Sequence, residues 1–285
     1  MEPIYLLFTA AMVVASLGCL WDARGDSEGL TLYGTAVVYG LILEKLVIVA
    51  FGAYTYPAES YALSVFGVPL AIAFGWSAVI YAGTTTARAY EVPLPALPGF
   101  VALYALHVDL SMDAVAIRVP FWTWTPPGPW FGVPLGNFFG WFCVAFLFAG
   151  WFELLRRRVD HPLALGAGTL GASLLTLLAA LEVWTHLVHS VALGTGILLC
   201  LGVLSALGLV RFRPSFAGLP ARTAAGATLL FHVFFVGVLL WTGTYRTTPP
   251  LAVVSVAALG VGVAVHAVPE RELTRRRRTR RESRR

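Results

Sequence analysis

Three acidic residues lie inside long apolar stretches of this sequence, at spacings that could bring their carboxyl groups together. Glu44 lies in one apolar run, and Asp109 and Asp113 lie one helical turn apart in a later one. An ionisable side chain within a membrane segment is costly enough to indicate a functional site. Because like charges repel where solvation is poor, at least one of the three is expected to hold a proton near neutral pH. A protonated carboxyl group beside an ionised one can act as a general acid and a general base.

An internal repeat carries an acidic residue into the same register twice. The segments FGVPLAIAFGW, from Phe66, and FGVPLGNFFGW, from Phe131, share eight of eleven residues at an offset of 65. The same offset relates Glu44 to Asp109. Each copy predicts two helices, so both copies should have the same orientation in the membrane.

Helix packing explains much of the repeated motif. Gly75 and Gly140 would allow close approach of helices, and Trp76 and Trp141 would anchor them at the cytoplasmic interface. Packing does not explain Asn137, which stands where the first copy has an isoleucine. For the carboxyl groups the alternative to a functional site is a buried hydrogen-bond network. We prefer such a structural role for Lys45, which can snorkel, and for Glu153, which lies at an arginine-rich boundary.

The composition places these residues in a membrane protein. The chain is 58% hydrophobic and 12% charged, and a soluble domain carries about twice that charge. Runs of about 20 apolar residues predict transmembrane helices. The sequence therefore predicts an all-α, polytopic transmembrane bundle with an internal two-helix parallel repeat. The nine expected spans are 4–21, 31–53, 62–83, 97–118, 131–153, 163–183, 190–210, 223–243 and 250–268.

Basic residues predict how the bundle is oriented. Most of the 20 lysines and arginines fall on one side of a nine-span arrangement, which places the N-terminus outside and the C-terminus in the cytoplasm of a multi-pass cell-membrane protein. We expect one transmembrane domain over 1–268, with repeat units at about 31–83 and 97–153. Residues 269–285 form a basic cytoplasmic tail that is expected to touch anionic lipid and not nucleic acid.

Histidines and a further acid lie near the predicted outer ends of the helices. Glu182, His186 and His189 share one helix face, in a pattern that resembles a metal-binding set of two histidines and one carboxylate. Three ligands from a single helix seldom surround one ion, so we favour a polar rim at the mouth of the site and expect no metal. His107 precedes Asp109 by two residues and points to a different face.

The segment DLSMDAVAIRVPFWTWTPPGPWFGVPLGNFFGWF, from Asp109, resembles the carotenoid 1,2-hydratase family of the CruF type, which includes the haloarchaeal bisanhydrobacterioruberin hydratases. The resemblance covers roughly residues 30–210, and an upstream glutamate followed by G-x-Y-x-Y is also similar. Departures are Ala114, where a proline is expected, and Val119 and Pro120, where a glycine is common. The matching positions are Glu44, Gly52, Tyr54, Tyr56, Asp109, Asp113, Trp122, Trp124, Phe131, Gly132, Pro134, Asn137, Phe138, Gly140 and Trp141.

The resemblance implies addition of water to the terminal C1–C2 double bond of an acyclic carotenoid end group, in bacterioruberin-type biosynthesis. Asp113 or Asp109 would donate the proton, Glu44 would be its partner, and Asn137 would position the water. The reaction needs no cofactor. The expected partners are the carotenoid, membrane lipid and other enzymes of carotenoid biosynthesis, but no nucleic acid. Residues expected to contact substrate are Trp122, Trp124, Phe131, Tyr54, His107, Glu182 and His186.

The sequence is also compatible with two other functions. A prenyltransferase of the UbiA type is suggested because Asp109 and Asp113 resemble half of a magnesium–diphosphate motif, although that chemistry needs a second acidic cluster. A proton-coupled transporter is suggested by the repeat and by the acids within the membrane. It would favour a polar lining along the whole transport path, whereas the polar residues here lie in the outer half.

Overall fold

The computed structural model describes residues 2–214 and 222–282, with side chains in its last segment described as far as residue 266. Nine helices of this part are long and apolar enough to cross a membrane. The predicted all-α polytopic fold is therefore confirmed. The helices are α1 (Pro3–Ala23), α2 (Ser27–Phe51), α3 (Leu70–Ala89), α4 (Leu97–Ala116), α5 (Leu135–Leu155), α6 (Pro162–Leu187), α7 (Val191–Phe212), α8 (Arg222–Trp241), the short α9 (Thr244–Thr247) and α10 (Pro249–Glu282).

The helix that carries Glu44 has a capping residue at each end. Asp26 accepts a hydrogen bond from the backbone N–H of Gly29 at 2.6 Å, which satisfies one of the free donors of the first turn of α2. Gly52 ends the helix in the left-handed conformation, with φ of 60°. A residue without a Cβ adopts this conformation easily, so the chain can leave α2 sharply and turn back towards the bundle.

The third span begins later in the chain than hydropathy predicts. The expected span was 62–83, whereas α3 runs from Leu70 to Ala89. The difference arises because residues 64–69 form a two-stranded hairpin, β2 (Ser64–Val65) with β3 (Val68–Pro69). This hairpin is apolar enough to extend the hydrophobic run, so hydropathy alone cannot separate it from the helix that follows.

The sequence repeat is also a repeat of backbone structure. Phe66 and Phe131 both adopt positive φ, at 54° and 50°, and Gly67 and Gly132 follow with φ of 81° and 96°. Positive φ is uncommon for residues other than glycine, so finding it twice at the same offset marks one turn built twice. Each turn leads directly into a helix, α3 in the first copy and α5 in the second.

The two copies are joined where α2 and α4 end and α3 and α5 begin, which we call the site end of the bundle. There the two-residue strand β1 (Tyr54–Thr55) pairs with β4 (Thr123–Trp124), and Tyr54 lies opposite Trp124. The connections of the two copies therefore hold each other in place. Because each connection also bears side chains of the site described below, this pairing fixes their relative positions.

An ion-pair cluster around one buried glutamate lies at the opposite end of α3 and α5. Glu153 is only 1% exposed, and its two carboxylate oxygens each accept from an arginine at 2.6 Å, from Arg88 and from Arg156. Glu28 at the start of α2 pairs with the same two arginines, at 2.8 Å and 3.5 Å. This geometry agrees with the structural role expected for Glu153, because both of its charged oxygens are matched.

Candidate functional site

A cavity of about 520 Å³ lies at the site end of the bundle. Its wall is mostly aromatic and aliphatic, and two acidic side chains, Glu44 and Asp113, reach it. Side chains from α1 to α6 and α8 contribute to the wall, together with both connections of the repeat. The arrangement combines an apolar container with a small number of polar groups, which is typical of sites for small ligands.

Glu44 is held by three hydrogen-bond donors. The hydroxyl groups of Tyr54 and Tyr56 donate to its Oε2 atom at 2.5 Å and 2.8 Å, and the indole N–H of Trp76 donates to Oε1 at 2.7 Å. The Glu44 side chain is 5% exposed and lies seven residues before the end of α2, roughly 10 Å along the helix. Because all three partners donate, the geometry matches the lone pairs of an ionised carboxylate.

The short strand β1 and the residue that follows it supply the two tyrosines. Residues two apart in an extended chain point to the same side, so Tyr54 and Tyr56 can both reach Glu44. The ring of Tyr54 also packs on Trp124 of β4, with ring centroids 4.8 Å apart. Burial, followed by the adjacent carboxylate, raises the pKa of both tyrosines above the ordinary phenol value. The hydroxyls therefore stay protonated and keep donating.

Asp109 and Asp113 form a second acidic group, one helical turn apart on α4. Both are buried, at 0% and 2% exposure, and their spacing of one turn brings the two carboxyl groups within electrostatic reach of each other. Asn137, near the start of α5, donates from Nδ2 to Asp109 Oδ2 at 2.9 Å. Asp113 and Asn137 line the cavity, whereas Asp109 lies behind them. The structure thus brings together the acids and the amide that the sequence singled out.

The two tryptophans of the repeat lie beside the acids at the cavity, and Trp76 is buried there instead of anchoring its helix at a membrane interface as predicted. Trp76 and Trp141 each lie six residues after the start of their helix, which places them towards the site end. Their rings pack together with centroids 4.2 Å apart, and both line the cavity. The physical reason is visible at Trp76, whose N–H has a buried carboxylate partner in Glu44 and gains no benefit from interfacial water.

The aromatic connection between α4 and α5 lies partly at the cavity. Trp122 and Trp124, two of the predicted substrate contacts, line the cavity. Phe131 does not line the cavity. Its backbone forms the tight turn before α5, and its ring packs on that of Trp130 with ring centroids 5.1 Å apart.

His107, an expected substrate contact, lies in a different buried cluster. Its Nδ1 bonds to the backbone carbonyl of Tyr104, and its ring lies 5.1 Å from that of His232 on α8. Two residues along a helix rotate a side chain by about 200°, so a position that precedes Asp109 by two faces away from the acids. The structure therefore does not bring His107 to the cavity.

Glu182 and His186 are also outside the cavity. Their side chains are 61% and 72% exposed on the outer face of α6, and Glu182 Oε1 lies 3.4 Å from His186 Nδ1. The adjoining face of the same helix, including Trp184 and Thr185, forms the wall instead. Over residues 2–214 and 222–266, no three histidine, cysteine or acidic side chains are placed to hold a metal ion.

Several wall residues could not be found from the sequence pattern. Phe8 and Met12 come from α1 and Phe231 from α8, which lie outside both repeat copies. Their types are those of ordinary apolar helix residues, so no local signal separates them from lipid-facing positions. Trp76 could have been found, because it occupies the repeated position six residues after the start of α3.

The fold and the site define a polytopic helical membrane protein with carboxyl groups gathered at an apolar, aromatic cavity. A family model described as "Carotenoid biosynthesis protein" matches residues 1–209, and the chain belongs to this family. Its role accordingly lies in carotenoid biosynthesis, and the matched segment contains all the acids of the site. Among curated proteins and solved structures, no significant match is found.

Proposed function

We propose that this protein is a carotenoid hydratase. It would add water to the terminal C1–C2 double bond of an acyclic carotenoid end group and so form a tertiary alcohol, in bacterioruberin-type biosynthesis. The family supports carotenoid biosynthesis, and the site chemistry supports the finer statement. The observation that carries the proposal is the gathering of Glu44, Asp109 and Asp113 at a cavity whose other walls are mostly apolar.

Protonation of the alkene is assigned to Asp113. It reaches the cavity wall, whereas its neighbour Asp109 is fully buried and bonded to Asn137. Two interacting carboxyl groups in a poorly solvated site favour a state that shares a single proton, because two adjacent charges would repel. Transfer of that proton to C2 leaves a tertiary cation at C1.

Glu44 is assigned to stabilise the cation. Its three donors fix it as a carboxylate, so a negative charge is already oriented at the cavity before the cation forms. The oxygen of a water molecule then bonds to C1, and the proton it releases returns to the Asp109–Asp113 pair. Alkene and water are converted to alcohol, and the enzyme ends in its starting state.

The walls serve the same chemistry. Tryptophan rings attract cations through their faces, and Trp122 and Trp124 both lie on the wall. An apolar cavity also limits the number of water molecules near the cation, so that one positioned water is captured. The cavity lies towards one end of the bundle, where an end group of a membrane-spanning polyene would be found.

The test is expression in a bacterium that makes an acyclic carotenoid, followed by chromatography and mass spectrometry of the pigments. We expect a product heavier by one or two waters, and its loss in Asp113→Asn. Asp160→Asn is the matched control, because Asp160 is exposed in the connection before α6. Unchanged pigments, with the protein present in the membrane and two substrate types supplied, would refute hydration and favour transport or prenyl transfer.

A further inference from the structure

The two repeat copies hold equivalent residues but use them differently. In the first copy the acid Glu44 on α2 accepts the N–H of Trp76 on α3. At an offset of 65 the equivalent pair is Asp109 on α4 and Trp141 on α5. No hydrogen bond joins this second pair: Asp109 accepts from Asn137 at Oδ2, and its buried Oδ1 atom has no hydrogen-bond partner among the residues that the structure describes.

The difference has a chemical cause in the sequence. Aspartate is one methylene shorter than glutamate, so the carboxyl group of Asp109 extends less far from α4 than that of Glu44 from α2. Asn137, which replaces an isoleucine of the first copy, supplies the missing donor. Trp141 is thereby released from the role that Trp76 has, and no hydrogen bond to its N–H is found in the described part of the chain.

Trp141 is nevertheless held in place at the cavity. Its ring packs on Trp76, with a centroid distance of 4.2 Å and an interplanar angle of 39°. Trp76 is in turn fixed by Glu44 and is 6% exposed, whereas Trp141 is only half-buried and lines the cavity. The indole nitrogen of Trp141 keeps some accessible surface, unlike that of Trp124, which is buried and without a partner among the described residues, so Trp141 can donate to a ligand that supplies an acceptor.

We propose that the N–H of Trp141 donates a hydrogen bond to the oxygen that the reaction adds. This inference rests on the proposed hydration, because a hydrocarbon end group offers no acceptor and the added water does. The bond would hold the water while it attacks C1 and would stay with the hydroxyl group of the product. Trp141 would thus share the positioning of water with Asn137.

The cation can react in two ways. A cation that captures water becomes the alcohol, whereas one that loses a proton returns to alkene. In heavy water the second route leaves deuterium in recovered, unhydrated carotenoid. Loss of a group that positions water should therefore slow hydration and raise the ratio of exchange to hydration, whereas loss of folded protein lowers both processes together.

The experiment measures both processes in membranes in heavy water, for wild type and Trp141→Phe. We expect hydration to fall roughly three- to tenfold, the worth of one hydrogen bond, and the ratio of exchange to hydration to rise by a similar factor. Trp141→His, which keeps a ring N–H, should restore part of the wild-type ratio. Trp151→Phe is the matched control, because Trp151 lies further along α5 and donates to Thr176 instead.

The outcomes distinguish this inference from the function on which it rests. Hydration by the wild type with an unchanged ratio in Trp141→Phe would overturn the role of Trp141 and leave the hydratase proposal standing. The absence of hydrated product from the wild type would overturn both. Because the ratio is measured on active molecules only, it does not depend on how much of each variant folds.

Discussion

Replacement of Glu44 by glutamine should destabilise the protein, and the structure gives the size of the effect. Glu44 accepts from Tyr54, Tyr56 and Trp76, so two donors face one oxygen and the third faces the other. A glutamine side chain has one oxygen and one NH₂ group. Its oxygen can serve the two tyrosines, but its NH₂ group then faces the indole N–H, and two donors oppose each other.

The cost follows from the bond that is lost. A hydrogen bond to a charged group contributes about 1.5–3 kcal/mol, and a buried donor left without a partner costs about 1–3 kcal/mol. These terms describe overlapping effects, so we expect Glu44→Gln to lower the free energy of unfolding by about 2–4 kcal/mol. Trp76→Phe removes the same contact from the other side and should cost a similar amount.

The assay is reversible denaturation in detergent, with Asp113→Asn as the contrasting variant. An amide in place of the Asp113 carboxyl group can still donate to Asp109, as the shared proton does, so the free energy of unfolding should change by less than about 1 kcal/mol. Both variants should lose hydration, but only Glu44→Gln should lose stability. Equal stability of Glu44→Gln and wild type would refute the view that three donors hold an ionised carboxylate.

Two further predictions concern the supports of this carboxylate. Gly40→Ala would place a methyl group 2.7 Å from Cβ of Trp76, so it should lower both the free energy of unfolding and the rate of hydration. Gly34→Ala is the control: its methyl group would meet no neighbouring atom within 4 Å, so neither quantity should change in the denaturation and conversion assays. Unfolding free energy measured against pH should hold to about pH 9 and fall as pH rises through 10, because the pKa values of Tyr54 and Tyr56 are raised and the unfolded phenols ionise first. In a variant with both Tyr54 and Tyr56 replaced by phenylalanine, the free energy of unfolding should fall less steeply above pH 10. An equally steep fall would contradict the assignment of this pH dependence to the two tyrosines.

The acids of the site could be found from the sequence because their signal is local. Glu44, Asp109 and Asp113 are charged residues in apolar runs, and the offset of 65 places two of them in register. Asn137 could be found because it breaks the repeat. The nine spans follow from hydropathy, which measures the same property that burial in lipid selects.

The remaining wall of the cavity depends on how the helices rotate against one another. Hydropathy is nearly uniform around a membrane helix, so it does not tell which face of α6 meets the cavity. Trp184 and Thr185 do so, whereas Glu182 and His186 lie on the outer face. His107 faces another cluster for the same reason: packing against α8 sets the rotation of α4.

The most direct test of hydration is the origin of the added oxygen. Membranes that contain the protein are supplied with an acyclic carotenoid in water enriched in heavy oxygen, and the hydroxylated product is analysed by mass spectrometry. We expect a tertiary alcohol whose oxygen carries the label in proportion to its enrichment in the water, and no product from Asp113→Asn. An alcohol without the label, or a product formed as well by Asp113→Asn, would contradict hydration by these carboxyl groups.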